Sequence, residues 1–200
     1  MESVFQNKYK IASNRLCGWN YASDGHYFIT IVTANRENHF GKIMDDKMIM
    51  NDWGQIVYDE FFKSFEMRQE LYLGGFVLMP NHIHAIVSIV ETHGRASSPK
   101  SNDGPKSNDG PKSNNTTKQL IRQPQSISSF IAGFKSATIK HIDDWIDINN
   151  PNMPKFNRRN PLWQPNYYDH IIRSEKEYMQ ISGYIVDNPL HWEKDRNKTM

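Results

Sequence analysis

The sequence predicts an α+β fold of the ferredoxin-like (RRM-like) class: an antiparallel sheet with helices on one face, plus one further helix near the C-terminus. Three observations predict it. Runs of β-branched and aromatic residues alternate with amphipathic stretches, the element order is β-α-β-β-α-β-α, and a tight turn joins the second strand to the third. The 200 residues fit one domain, residues 1–200, that is long enough to bury a core.

Four segments read as strands. Residues 27–33 (YFITIVT) are β-branched and aromatic, which is typical of a buried strand. Residues 70–79 form a second strand in which Gly74-Gly75 indicates a bulge, and Pro80-Asn81 supplies the turn into a third strand at 82–90. Residues 162–173 (LWQPNYYDHIIR) predict a short strand with its connection.

Three segments read as helices. Residues 47–65 place apolar side chains at three- and four-residue steps, which predicts an amphipathic helix over that range. A second helix begins at Ser126. The third covers 174–188, where Ser174 is the expected N-cap and Glu177 occupies the capping-box position.

The segment from 99 to 115 differs from the rest of the chain because it repeats Pro-Lys-Ser-Asn-Asp-Gly and contains no apolar residue. Such a segment cannot offset the entropy lost on ordering. We expect a flexible surface loop over about residues 94–118, with no function implied.

Composition excludes several classes. The single cysteine, Cys17, rules out an intramolecular disulfide and a thiolate metal cluster, and no segment approaches the length of a membrane span, so we expect a cytoplasmic protein without a membrane partner. The net charge is only +2, but residues 45–70 are acidic while 112–140 and 155–173 are basic. A polyanion would approach the basic segments.

Two histidines one residue apart open the third predicted strand, in Met79 to Val87 (MPNHIHAIV). Because side chains at i and i+2 share a face, His82 and His84 stand side by side on the solvent side of the sheet, while Ile83 and its alternate neighbours enter the core. Two neutral imidazoles at this spacing can bind one divalent metal. The alternative is one structural and one solvated histidine.

Tyr184 and Asn188 lie four residues apart on the last predicted helix, at the border of its apolar face. A phenol can act as a nucleophile toward phosphorus, and an amide oxygen can serve as a metal ligand. The alternative is that Tyr184 only packs and Asn188 only caps the helix.

Taken together, these segments resemble a known family. MPNHIHAIV matches the HUH metal motif of single-tyrosine transposases, and LWQPNYYDHIIRSEKEYMQISGYIVDNPLHW closely resembles the carboxy-terminal signature of REP-associated tyrosine transposases. The resemblance covers about residues 27–192 apart from the hexapeptide loop. It implies that His82, His84 and Asn188 hold Mg²⁺ or Mn²⁺ and that Tyr184 is the catalytic nucleophile on the C-terminal helix, with Tyr168 as the runner-up.

The resemblance also implies a partner and a reaction. The implied substrate is single-stranded or hairpin DNA, which would be cleaved and rejoined through a 5′-phosphotyrosine link. We expect a monomer or homodimer. Aromatic and cationic side chains around the signature suit stacking on unpaired bases. The candidate DNA-binding residues are Arg158, Arg159, Trp163, Tyr167, Tyr168, His170 and Arg173.

Two other functions compete with this one. Ferredoxin-like sheets also bind single-stranded DNA or RNA hairpins without cutting them. A small hydrolase whose metal activates water would release free 5′-phosphate ends and would not need Tyr184.

Overall fold

The computed structural model describes residues 20–90 and 125–198, together with the backbone of two short N-terminal strands. The hexapeptide loop predicted at about 94–118 lies outside the described residues. In chain order the strands are β1 (Val4–Phe5), β2 (Lys8–Tyr9), β3 (Gly25–Val32), β4 (Gly41–Met44), β5 (Lys47–Met50), β6 (Leu71–Met79), β7 (His82–Ile89) and β8 (Tyr168–Ile172). The helices are α1 (Asp52–Glu66), α2 (Ile127–Asn149) and α3 (Glu175–Asp187), with short 3₁₀ helices at Ala34–Arg36 and Pro189–Lys194.

A four-stranded antiparallel sheet forms the centre of the fold, in the spatial order β6-β7-β3-β8. β3 and β7 are therefore the inner strands. Helices α1 and α2 pack on one face of this sheet, so the predicted ferredoxin-like class is confirmed. No helix in the described ranges has both the length and the apolar character needed to cross a bilayer.

The two faces of β7 bury different kinds of side chain. Ile83, Ala85 and Val87 join the large core beneath α1 and α2, as their alternation predicts. The other face carries the two histidines and then Ile86, which packs with Phe28, Ile172 and Ile185 of α3 in a second, smaller core. The α3 helix is thereby held on the face that bears the histidines.

The helix predicted over 47–65 begins later than expected, because Lys47–Met50 forms a hairpin with Gly41–Met44. Asp45 and Asp46 both have positive φ, the conformation that a two-residue type I′ hairpin turn requires. The helix starts only at Asp52, where the side chain of Asn51 accepts the N–H of Gly54 as an N-cap. The apolar spacing of the hairpin strand happens to continue that of the helix.

The predicted starts of α2 and α3 agree with the structure. Ser126 caps α2 in a full capping box with Ser129, and Ser174 caps α3 by accepting the N–H of Glu177. The carboxylate of Glu177 does not close a capping box. It accepts from the N–H of Arg173 and binds the ring of His170, 2.6 Å away.

Gly74 lets α3 lie close to the sheet. The register of β6 against β7 shifts between Leu73 and Gly75, which confirms the predicted bulge. A Cβ added at Gly74 would overlap the hydroxyl of Tyr178 on α3 and would come within 3.2 Å of Ile86. The glycine makes room for the side chain of Tyr178, which is one of the contacts between α3 and the sheet.

Gly74→Ala should therefore lower the free energy of unfolding by about 1–3 kcal/mol, the usual cost of overpacking. Gly183→Ala is the matched control, because a Cβ there meets nothing within 4 Å and alanine is favoured inside a helix by about 1 kcal/mol. Urea denaturation of both variants measures the difference. Equal stabilities of Gly74→Ala and wild type would mean that α3 is not seated through this contact.

Candidate metal centre

The two histidines lie side by side, as predicted, with ring centroids 4.6 Å apart. They are not on a solvent face, however, since both side chains are fully buried. The expectation of solvent-side imidazoles is wrong because α3 and residues 189–197, which we call the return segment, cover this part of the sheet. Trp192 of the return segment stacks on the His82 ring at 6.2 Å.

Each histidine ring has a hydrogen bond at Nδ1. His82 Nδ1 lies 2.8 Å from the side-chain oxygen of Asn81, and His84 Nδ1 lies 2.9 Å from the hydroxyl of Thr30, which is opposite it in the β3–β7 register. Phe28 stacks on the His84 ring at 5.3 Å. These contacts fix both rings and leave the Nε2 atoms directed into the space beneath α3.

Tyr184 and Asn188 reach the same space from α3. The Tyr184 hydroxyl lies 3.1 Å from His84 Nε2, and 43% of the Tyr184 side chain stays exposed. Asn188 is the C-cap of α3 and is buried. The helical spacing predicted from the sequence puts Tyr184 and Asn188 on one side of α3, and that side faces the histidine pair.

The other candidate tyrosines lie elsewhere. Tyr168 is opposite Thr30 on β8, so its backbone is two strands, or roughly 9–10 Å, from that of His84. The Tyr167 hydroxyl is 3.1 Å from Ser128 on α2, and Tyr178 packs over Gly74. Among all four candidate tyrosines, only Tyr184 has a described contact with a histidine of the pair.

The return segment contributes a carboxylate that the sequence analysis missed. Ligand atoms of Asp195, His82 and His84 all lie within 4.8 Å of one another, and Asp195 Oδ2 is 3.8 Å from His82 Nε2. The other oxygen of Asp195 accepts the N–H of Asn197 at 2.6 Å. No periodicity or motif marks Asp195, because it lies in a polar run and reaches the site only through the tertiary fold.

The polar atoms at this point suit a cation. In the described part of the chain, neither His82 Nε2 nor Asn188 Oδ1 makes a hydrogen bond of normal geometry, although both atoms are buried. With the carboxylate of Asp195 they form a group of acceptors, which is costly to bury without a positive charge between them. Imidazole nitrogen with carboxylate and amide oxygen is a donor set that binds divalent metals. The residues therefore fit a divalent metal ion.

Burial keeps both histidines neutral. It lowers the pKa of His82 to about 4, although the nearby charge of Asp195 opposes the shift. Burial and the neighbouring His82 hold the pKa of His84 well below its usual range. Neutral imidazoles are the form that binds metal, so the pair is ready to act as ligands at neutral pH. Burial, followed by the Asp195 charge, raises the pKa of Tyr184, which keeps this phenol protonated.

Comparison with known proteins gives a relative and a fold. No protein-family model matches the sequence. An uncharacterized protein of Haemophilus influenzae strain Rd is 34% identical over 185 residues, 92% of this chain and 91% of its own length. The chain belongs to the same family as this Haemophilus protein.

Among solved structures, one of a REP-associated tyrosine transposase bound to a REP hairpin aligns with 91% of this chain and 74% of its own, with a TM-score of 0.55 and 18% identity. The chain has the fold of a REP-associated tyrosine transposase. This is the fold that the sequence resemblance predicts. At this identity the similarity concerns the fold alone.

Within this transposase fold, the candidate DNA-binding residues have different settings. Arg158, Arg159 and Arg173 are exposed, and His170 is half-buried beside Glu177. Trp163 instead lies in the core, where its indole N–H donates to Thr138 at 3.0 Å, so its ring faces cannot stack on a base.

Arg196 is a cation that the prediction omitted. Its guanidinium lies 5.6 Å from the ring centre of Tyr168. After burial and His82, the Arg196 charge also lowers the pKa of His84. The exposed Arg196 and the half-buried Tyr168 therefore flank the histidine pair.

The buried histidines predict a pH dependence in the metal-free protein. The folded pKa of His82 is below its unfolded value of 6.5, so the unfolded chain takes up the proton first as the pH falls. The contribution of neutral His82 to the free energy of unfolding should therefore be fully present above pH 6.5, and it should be lost as the pH falls toward 4. Proton uptake by His82 in the unfolded chain should by itself lower the free energy of unfolding by about 2 kcal/mol between about pH 7 and pH 5.

Denaturant unfolding in EDTA at these two pH values measures this loss. His82→Gln should reduce the pH dependence, whereas His191→Gln, at an exposed histidine, should keep it. Equal stability of the wild type at both pH values would contradict the neutral, buried state of the pair.

Proposed function

We propose that this chain is a REP-associated tyrosine transposase: a metal-dependent enzyme that cleaves and rejoins single-stranded or hairpin DNA through a 5′-phosphotyrosine intermediate. One observation carries the proposal, namely the contact between the Tyr184 hydroxyl and His84 Nε2 beside the unpartnered acceptor atoms of His82 and Asn188. The fold and the HUH motif agree with it.

Four side chains would hold the metal. His82 and His84 offer Nε2, Asn188 offers its amide oxygen and Asp195 offers Oδ2. The mixed nitrogen and oxygen set suits Mn²⁺, and the oxygen donors also suit Mg²⁺. Bound there, the ion would supply Lewis-acid polarisation of a non-bridging phosphate oxygen. No nucleotide cofactor is needed, because the energy of the phosphodiester bond is kept in the covalent link.

Tyr184 performs the bond exchange. Its phenolic oxygen attacks phosphorus, the new O–P bond forms as the P–O3′ bond breaks, and the 3′-oxygen leaves and gains a proton to become a hydroxyl. The phenolic proton is released to solvent, to which the half-exposed side chain has access. A 3′-hydroxyl can later attack the phosphotyrosine and reverse these steps, which rejoins DNA and frees Tyr184.

Position favours Tyr184 over Tyr168 as the nucleophile. Tyr184 approaches His84 from α3, and Asn188 is one turn further along that helix. Tyr168 lies two strands from the pair in the sheet, and the guanidinium of Arg196 lies 5.6 Å from the centre of its ring. This arrangement suits a base-stacking role for Tyr168 and a phosphate contact for Arg196.

Single-stranded or hairpin DNA is the substrate that this surface suits best. The exposed Arg196 lies beside the site, and Arg158, Arg159 and Arg173 are further exposed cations, with Arg173 beyond the opposite end of β8 from Tyr168. Such contacts bind phosphates irrespective of sequence, while unpaired bases stack on exposed rings. The solved transposase of the same fold binds a REP hairpin, which supports this class of DNA. Trp163 is left out, since it is a core residue.

Tyr184→Phe should abolish strand cleavage and leave DNA binding intact, because only the nucleophilic oxygen is lost. The assay incubates the protein with labelled hairpin DNA and Mn²⁺ and detects the covalent adduct on a denaturing gel. Tyr168→Phe is the matched control, which should still form the adduct.

Peptide mapping of the trapped wild-type adduct decides between the accounts. DNA on the peptide that contains Tyr184 is the expected result, and DNA on the peptide that contains Tyr168 would contradict it. Free 5′-phosphate ends without any adduct would indicate a hydrolase, and DNA binding without cleavage would indicate a binding module.

A further inference from the structure

Asn81 is a buried amide that the proposed chemistry does not use. It follows Pro80 in the β6–β7 turn and its side chain is fully buried. The amide nitrogen donates to the carbonyl of Arg36 at 2.8 Å and to the carbonyl of Asn197 at 2.7 Å. The amide oxygen lies 2.8 Å from His82 Nδ1.

These contacts fix the orientation of the amide. Backbone carbonyls only accept hydrogen bonds, so the group that faces the two carbonyls must be the NH₂ of Asn81. The oxygen must then face His82, and an amide oxygen also only accepts. His82 Nδ1 therefore carries the proton, and a neutral ring with a proton on Nδ1 has its lone pair on Nε2.

The other histidine lacks this constraint. The hydroxyl of Thr30 can donate to His84 Nδ1 or accept from it, so this contact is compatible with either neutral form of the ring. Asn81 therefore determines which nitrogen of His82 carries the proton, whereas Thr30 does not determine this for His84.

Asn81 also connects the ligand-bearing parts of the chain. Asn197, whose carbonyl it binds, lies two residues after Asp195, and the N–H of Asn197 donates to the Asp195 carboxylate. On the other side, Asn35 and Arg36 both have φ near +55° to +58°. A non-glycine residue in this region costs about 1–3 kcal/mol when the surroundings impose it. This backbone turn presents the Arg36 carbonyl to the amide.

We infer that Asn81 is a positioning residue for the metal centre. It holds the proton of His82 on Nδ1, so that Nε2 presents a lone pair to the metal, and it holds the return segment, which carries Asp195, against the site. The inference rests on the proposed function, in which His82 and Asp195 bind the ion. A hydrogen-bonded partner on the second ring nitrogen is the usual means of orienting a metal-binding histidine.

The first measurement needs no variant. Long-range ¹H–¹⁵N correlation spectra of the metal-free wild-type protein at about pH 7, well above the histidine pKa, distinguish the two neutral forms of the ring. The expected result is a proton on Nδ1 of His82. A proton on Nε2 would overturn the inference whatever the variants do.

The second measurement compares Mn²⁺ affinity by calorimetry. Asn81→Ala should weaken binding by roughly 10–100-fold. The matched control is Asn51→Ala, since Asn51 also makes two side-chain hydrogen bonds to backbone groups, as the N-cap of α1. The control should lose stability but keep the wild-type affinity.

The outcomes separate the two proposals. If the wild type binds Mn²⁺ and Asn81→Ala binds it equally tightly, the positioning role is wrong and the proposed function stands. If the wild type binds no Mn²⁺, the proposed function and the positioning role both fail. If Asn81→Ala does not fold, the wild-type spectrum still decides the proton position.

Discussion

The burial of two neutral imidazoles beneath α3 is the constraint on which the site depends. Moving a polar ring out of water is unfavourable unless its nitrogens have partners. On the Nδ1 side, Asn81 and Thr30 supply those partners. On the Nε2 side, His82 faces Asn188 and Asp195, which are acceptors, and only His84 has a proton donor, Tyr184. The rings therefore have hydrogen-bond partners at Nδ1, whereas among the described residues His82 has no hydrogen-bond donor facing its Nε2.

The second core explains how α3 holds Tyr184 and Asn188 at the site. Ile185 packs with Phe28 and Ile86, while the bulge at Gly74 admits Tyr178. These two contacts hold α3 against the sheet, with Tyr184 next to Ile185 and Asn188 one turn further along. A rigid secondary element is a better carrier for a nucleophile than a loop, because the reacting geometry must be held closely.

Sequence patterns predicted those parts of the structure that depend on local spacing. The period of two fixed which residues of β7 face the histidine side, and the spacing of four placed Tyr184 and Asn188 on one side of α3. Strand β5 of the β4–β5 hairpin falls within the range predicted as helix, because its apolar residues continue the helical spacing. The acidic pair Asp45-Asp46 was the available signal for the turn.

The parts that could not be predicted depend on contacts between distant segments. Asp195 lies in a polar run with no apolar rhythm, and only the path of the 3₁₀ helix Pro189–Lys194 brings it back to β7. Trp163 has an aromatic ring of the kind that stacks on bases. The β-bridge between the backbones of Trp163 and Thr33 instead directs this ring into the core. The role of Asn81 likewise requires the carbonyls of Arg36 and Asn197, which are remote in sequence.

The most direct test of the central claim is a crystal structure of the wild-type protein grown with Mn²⁺, with the ion located by its anomalous scattering. We expect one peak beneath α3 within about 2.0–2.3 Å of His82 Nε2 and His84 Nε2, with Asn188 Oδ1 and Asp195 Oδ2 as oxygen neighbours. The Tyr184 hydroxyl should face the ion. A structure at high Mn²⁺ with no peak between the two histidines, or with the ion bound only to surface carboxylates, would show that the histidine pair is not a metal site.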